Sequence, residues 1–171
     1  GASTGGVIAA ALDGKVPNKV IDLEATTRLP VEGGEAIRAA LKGDCHMHST
    51  WSDGGASIAT MAHAAKALGH EYIVMTDHSP RLTIAHGLNA ERLRAQLDEI
   101  ADLNDAFAAA GDEFRILTGI EVDILADGAL DQTEELLSEL DVVVASVHSK
   151  LRMDEKEMTR RMVTAISSPH V

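Results

Sequence analysis

The sequence predicts an α/β protein built from consecutive parallel β/α units, in the manner of a (β/α) barrel. Three observations carry this expectation. From Asp44 onward, short apolar runs alternate with longer segments of helical periodicity. The runs are apolar throughout, which is how strands read when both faces of a parallel sheet are covered. Each run also delivers a metal-ligand type of residue at its C-terminal end: His46 and His48, then His78, then Glu121, then His148. In a barrel those ends converge on one rim, where active sites form. No glycine-rich dinucleotide fingerprint accompanies the strands, which favours a barrel over a doubly wound sheet.

Residues 1–43 are expected to form a helical extension and residues 44–171 the domain itself. Val7, Ile8, Ala11 and Leu12 have helical spacing, which Gly14 and Pro17 interrupt. Val20-Ile21-Asp22-Leu23 is too short to assign, and Pro30 and Gly33-Gly34 punctuate the chain. A short helix is expected from Glu35 to Lys42, ending at Gly43. The first strand of the domain ends at His46 and His48. A helix follows from Ser57 to Leu68, stopped by Gly69. Glu71 to Thr76 forms the second strand and ends in Asp77-His78. After a looser stretch with Pro80 and Gly87, a long helix runs from Asn89, a suitable N-cap, to Ala110. Phe114 to Ile120 is the third strand, ending in Glu121. The chain turns at Asp127-Gly128, and Gln132 to Leu140 is helical. Asp141 to Val147 is a fourth strand delivering His148, and a last helix covers Met153 to Ile166.

A chain of 171 residues is one domain's worth and long enough to bury a real core. No apolar run approaches the roughly 20 residues that span a bilayer. The start, Gly1-Ala2-Ser3-Thr4-Gly5-Gly6, has neither basic cluster nor long apolar run, so no signal peptide is expected. A formal charge of −12 argues against nonspecific adhesion to nucleic acid or anionic lipid. Bound divalent cations would offset part of that charge at a site. Cys45 is the single cysteine, so no intrachain disulfide is expected and a reducing cytoplasm is the default location.

His46 and His48, two apart in a strand, share one side of the chain and can reach one metal or two adjacent ones. Asp53 precedes two glycines, so its carboxylate can return to the same spot on a tight turn; it also suits that turn without any ligand role. Imidazole and carboxylate donors together suit zinc, manganese or iron. Four histidines with Glu121 and Asp53 exceed what one tetrahedral ion needs, so two or three metals bridged by a carboxylate are expected. Such clusters bind phosphate oxygens, activate a bound water as hydroxide and stabilise in-line displacement at phosphorus. Hydrolysis of a phosphoester follows. Cys45 is expected to point away from the two histidines and to be buried. His63 reads as a helix-surface residue, His70 and His170 as loop residues, and His86 as a loop residue within reach of the site. Trp51 either walls the pocket, stacks on a base or is structural. Arg160-Arg161 and the acidic stretch from Asp98 to Asp105 read as solvated helix faces.

Taken in order, several motifs resemble those of one family. They are His46-Met47-His48 with Ser52-Asp53-Gly54, Thr76-Asp77-His78-Ser79, Gly119-Ile120-Glu121, and Ser146-Val147-His148-Ser149. The set looks like the successive motifs of the polymerase and histidinol phosphatase (PHP) family. Asp53, with Ala85-His86-Gly87-Leu88 and Met158-Thr159-Arg160-Arg161, makes residues 43 to 171 most similar to the PHP domain of bacterial family X DNA polymerases. The resemblance implies a distorted (β/α)7 barrel, a multinuclear metal site and phosphoesterase activity. Known members act on phosphomonoesters such as histidinol phosphate, or on nucleic-acid 3′ ends. It implies that His46, His48, Asp53, His78, Glu121 and His148 are the metal ligands. Asp77 is expected to orient a neighbouring ligand. Asp77 and Lys150 are the candidate catalytic residues beside the metals, and no side-chain nucleophile is assigned. On position and charge, Lys150, Arg81 and Arg152 are candidates to hold the phosphate.

The family pattern continues with a fifth strand, a His-Pro motif and a late Asp-X-His, whereas this chain ends at Ser168-Pro169-His170-Val171. About the first four β/α units are therefore expected. A longer chain, a second copy in a homodimer or another partner would complete the barrel and cover its open edges. Two rival readings stand beside the phosphoesterase. One is a noncatalytic PHP module used for binding or scaffolding. The other is an amidohydrolase-like enzyme acting on C–N bonds, for which no lysine ligand or final aspartate can be placed.

Overall fold

The computed structural model describes residues 2–17, 21 and 33–171. They fall into two compact units, one within Gly1–Leu41 and the other Lys42–Val171. In the first unit, helix α1 spans Ala2–Leu12 and helix α2 spans Glu35–Ala40. Helix α2 stops short of Lys42 because Leu41 turns extended, with φ −67 and ψ 127. Gly43, expected as a helix stop, instead opens the first strand. Of the segments singled out from the sequence, Val20, Asp22, Leu23 and Pro30 lie outside the described residues.

The second unit alternates strands and helices. Strand β1 is Gly43–Met47, helix α3 Ile58–Ala67, strand β2 Tyr72–Met75 and helix α4 Ala90–Ala109. Strand β3 is Arg115–Asp123, helix α5 Glu134–Leu137, strand β4 Val142–Ser146 and helix α6 Glu155–Ile166. The four strands form one sheet in the order β1-β2-β3-β4, all pairs parallel, curled into a half-barrel. Local chemistry sets the helix starts. The side chains of Ser57, Asn89, Thr133 and Asp154 each accept a bond from a backbone N–H of the first turn. Gly69, at φ +87, closes α3 in the left-handed conformation that glycine adopts freely.

Successive strands are staggered, and the stagger places the polar residues. The first half of β3 pairs with β2, from Arg115 opposite Tyr72 to Thr118 opposite Met75. Its second half pairs with β4, from Gly119 opposite Val142 to Asp123 opposite Ser146. Such a shift between neighbours is what closing strands around an axis requires. Beyond Met75 the β2 ladder resumes as a bridge between His78 and Glu121, with Ser79 N donating to the Glu121 carbonyl at 3.0 Å.

Alternation along β3 separates core from site. Ile116, Ile120 and Val122 are buried in apolar clusters, the first with Ile58, Ile100 and Phe107, the others with Leu88, Leu93, Leu136 and Leu137. Glu121 and Asp123 project from the opposite face, because strand side chains alternate with period two. On that same face Gly119 is pressed against its neighbours, since a Cβ there would lie 2.7 Å from Val74 Cγ1. No helix among the described residues is long and apolar enough to cross a membrane.

The structure corrects further expectations in the second unit. Strand β3 runs on through Asp123 rather than stopping at Glu121, because its pairing with β4 extends from Gly119 to Asp123. Helix α5 is limited to Glu134–Leu137, since Thr133 caps it and Asp141 leaves it to bond the backbone of Thr118. Cys45 is exposed, not buried, because β1 is an edge strand.

Arg161 is the largest departure. It is 1% exposed rather than solvated, and its guanidinium donates to the carbonyls of Ile124, Leu125 and Ser149. The hydrogen bonds satisfy a buried cation and clamp the segments after β3 and β4 together. Replacing Arg161 by Met is expected to cost about 3 kcal/mol, because buried carbonyls lose a charged donor. Arg160→Ala, on the solvated side, should stay within about 0.5 kcal/mol. Urea unfolding midpoints of the two variants check the contrast.

Candidate metal centre

The site is assembled around one carboxylate. Glu121 is 5% exposed, on the inner face of β3. His46, at the end of β1, places Nε2 3.3 Å from Glu121 Oε2, and His48 places its own Nε2 at the same distance. His78, bridged to Glu121 through the backbone, lies with Nδ1 3.0 Å from Oε2. His148, just beyond β4, approaches the other oxygen, with Nε2 3.3 Å from Oε1. Four imidazoles from three different strand ends therefore meet on a single carboxylate.

Asp53 returns to this cluster on a turn, as its sequence context predicts. Its Oδ1 is 3.3 Å from His48 Nδ1, and its Oδ2 is 3.6 Å from His78 Nε2. The turn is tight enough that Gly54 admits no side chain, since a Cβ would lie 2.5 Å from the His48 carbonyl oxygen. Ser52 N and Gly54 N both donate to the Ser49 carbonyl, at 3.1 and 2.9 Å.

These contacts have the spacing of ligands around ions more than that of hydrogen bonds. Two donors bound to one ion at about 2.1 Å sit roughly 3.0 to 3.4 Å apart. The Nδ1 atoms of His48, His78 and His148 are buried and make no hydrogen bond, although carboxylate oxygens lie close to each. Buried polar atoms without partners are costly and rare, so three together call for a shared occupant. The donors fall into three overlapping groups: His46, His48 and Glu121; His48, Asp53 and His78; His78, Glu121 and His148. The residues present fit divalent metal ions.

Electrostatics keep two of the donors, His78 and Glu121, in the form a metal needs. Burial holds His78 below the usual histidine range, against the pull of Glu121, so it is neutral near pH 7. Burial alone would raise the Glu121 carboxyl. The Ser146 hydroxyl and the charges of His78 and His46 outweigh it, and the group stays below its ordinary value.

Asp123 is a site residue that the sequence reading missed. It is 5% exposed and two residues beyond Glu121, on the same face of β3. Its Oδ1 accepts from His148 N at 3.1 Å and lies 3.5 Å from His148 Nδ1. Ser79 Oγ, which donates to Asp131, accepts from Asp123 N at 2.9 Å. The signal for Asp123 was the period of two counted from Glu121, and it was lost by ending the strand too early.

Asp77 is 1% exposed and accepts from Ser49 N, Ser49 Oγ, Ser52 N, Ser52 Oγ and Gln96 Nε2. With its oxygens occupied by these donors, Asp77 supports the turn that carries Asp53. The three cationic candidates are exposed. Arg81 N donates to Asp131 at 2.7 Å, while Lys150, at φ 53, and Arg152 follow His148 on the loop after β4. His86 and Trp51 line a cavity beside the cluster rather than joining it. His63 is exposed against the Phe107 ring.

The ordered ligand-type residues on parallel strand ends match a known pattern: the PHP domain profile covers residues 44–167. The chain belongs to the PHP domain family. This PHP domain is 49% identical over 131 residues to the DNA polymerase/3′-5′ exonuclease PolX of Bacillus subtilis strain 168. That alignment covers 77% of this chain and 22% of the relative. It is also 33% identical over 135 residues to a probable phosphatase of Thermoanaerobacter sp. strain X514, covering 75% of this chain and 50% of that protein. A probable phosphatase of Caldanaerobacter subterraneus subsp. tengcongensis is 28% identical over 148 residues, at 82% and 53% coverage. The chain thus spans about a fifth of the PolX relative and about half of these phosphatases.

Asp123 accepts from the backbone N of His148 and so holds the segment that presents it, and Asp123→Asn should weaken binding of added divalent metal by about 10- to 100-fold without unfolding the chain. Competition against a chelating dye, with a thermal melt alongside, checks both halves of that expectation.

Proposed function

We propose that this PHP domain is a metal-dependent phosphoesterase, hydrolysing phosphomonoesters or nucleic-acid phosphodiesters. The observation that carries the proposal is the convergence of four imidazoles on Glu121 with three buried ring nitrogens left unpartnered. The membership in the PHP family, with relatives named as phosphatases and as a polymerase with exonuclease activity, supports the same reading.

His46, His48, Asp53, His78, Glu121 and His148 would hold two or three zinc, manganese or iron ions. When bound, such ions neutralise phosphate charge and supply an activated water at neutral pH. Glu121, with its two oxygens turned to different imidazoles, is suited to be shared between adjacent ions. The neutral state of His78 and the ionised state of Glu121 keep both available without prior loss of a proton. Asp123 holds the backbone of His148, and Asp77 holds the turn bearing Asp53, so the chain segments that carry these donors are positioned by the fold itself. Lys150, Arg152 and Arg81, exposed on the loops after β4 and β2, would meet the phosphate oxygens as it docks. The same reading takes the four β/α units as part of a distorted (β/α)7 barrel. A nucleic-acid 3′ end is among the substrates this assignment admits.

Purified protein kept from chelators should carry zinc, manganese or iron by elemental analysis, and no more than trace metal would remove the proposal. His48→Ala and Glu121→Ala should each lower phosphatase turnover by at least about 1000-fold while the circular dichroism spectrum is retained. Turnover surviving in either variant would refute the assignment of the site.

A further inference from the structure

Of the exposed cations assigned to the phosphate, Arg81, Lys150 and Arg152, only Arg81 has a carboxylate partner among the described residues. That partner is Asp131, whose side chain is 14% exposed and which no role assigned above uses.

Asp131 reaches the loop after β2 by a route fixed in the backbone. Beyond β3 the chain folds back on itself, with Ile124 and Leu130 in an antiparallel bridge and Leu125 N donating to the Ala129 carbonyl at 2.8 Å. Asp131 N then donates to the Asp123 carbonyl at 2.9 Å. The carboxylate is therefore registered to the end of β3, the strand that carries Glu121. Ser79 Oγ completes the junction, accepting from Asp123 N at 2.9 Å and donating to Asp131 Oδ2 at 3.1 Å.

The two carboxylate oxygens serve different groups. Oδ2 takes the neutral donors, Ser79 Oγ and Arg81 N, the latter at 2.7 Å. Oδ1 faces the guanidinium, with Arg81 Nε 3.8 Å away. An asparagine could accept from the neutral donors equally well; only a carboxylate adds a second oxygen for the cation. The Arg81 side chain is 68% exposed, so this ion pair adds little to stability. Its consequence is geometric. A guanidinium presents its N–H donors in a rigid planar fork. With the Nε edge turned to Asp131, the edge formed by Nη1 and Nη2 is left for a bidentate acceptor, and no other group among the described residues bonds it.

We propose that Asp131 is a positioning residue for Arg81, holding its main chain and its Nε edge so that the Nη1–Nη2 edge meets two oxygens of the phosphate. Asp131 touches no reacting atom and acts through Arg81. Restricting a long side chain in advance lowers the ordering cost of binding. The proposal rests on the phosphoesterase reading for the phosphate; the hold of Asp131 on Arg81 needs neither metal nor phosphate.

Asp131→Asn separates the two oxygens, since it keeps an acceptor for Ser79 and Arg81 N and removes the charge beside the guanidinium. In the metal-free chain, the heteronuclear NOE of the Arg81 Nε–H should be high. In Asp131→Asn it should fall to the level of exposed Arg160, while the Arg81 backbone amide keeps its value. A role confined to the turn would leave the Nε signal unmoved. Inorganic phosphate should bind the manganese-loaded Asp131→Asn chain about five-fold more weakly than the parent. Arg81→Ala should lose at least as much, and adding Asp131→Asn to it should cost nothing further. The proposal is overturned if the parental Nε–H is as mobile as that of Arg160, if Asp131→Asn leaves it ordered, or if the two substitutions add. Absence of phosphate binding by the parent would remove the phosphoesterase reading, and the NOE contrast would then decide by itself whether Asp131 holds Arg81.

Discussion

A carboxylate buried under four imidazoles is the constraint around which the domain is arranged. Taking an ionised carboxylate out of water costs several kcal/mol unless partners compensate it. Glu121 is almost fully covered, yet it stays ionised because Ser146 and the surrounding rings offset the loss of solvent. Those partners come from β1 and the residue after it, from the segment after β2, and from β4 and the segment after it. Their convergence depends on all strands running the same way and on the stagger that sets His78 beside Glu121. A one-residue slip of β3 would turn Glu121 into the apolar layer now filled by Ile120 and Val122.

Two further buried polar groups keep the loops of the site in place, and neither relies on an opposite charge. Asp77 is satisfied by hydroxyl, amide and backbone donors from Ser49, Ser52 and Gln96. Arg161 is satisfied by carbonyls. Each is saturated by neutral groups of the segments it organises, so burial is tolerated and geometry is fixed. One holds the turn that presents Asp53, the other the chain on either side of the His148 loop. The ligand-type donors at one end of the sheet are thus supported by fully satisfied polar groups behind it.

The apolar packing lies on the other face. Helices α3 and α4 cover β2 and the start of β3, and α5 adds Leu136 and Leu137 against the second half of β3. This division explains why ligand-type residues could be placed at strand ends without disrupting the core. It also explains the two edges: β1 leaves Cys45 exposed, and every residue of β4 is only partly buried.

The order of local patterns along the chain already determined the alternating β/α architecture and the six ligand-type residues that meet at one end of the sheet. Apolar runs, N-caps such as Asn89 and glycine stops such as Gly69 are local, so a one-dimensional reading captures them. Asp123, Arg161, Asp77 and Cys45 were decided only by the tertiary structure. Asp123 needed the β3–β4 register, and Arg161 needed two loops to bring their carbonyls together. Asp77 needed the Ser49–Ser52 turn folded over it, and Cys45 needed the position of β1 in the sheet. Partners distant in sequence settle whether a polar side chain is buried and what it touches, and that information exists only once the chain has closed on itself.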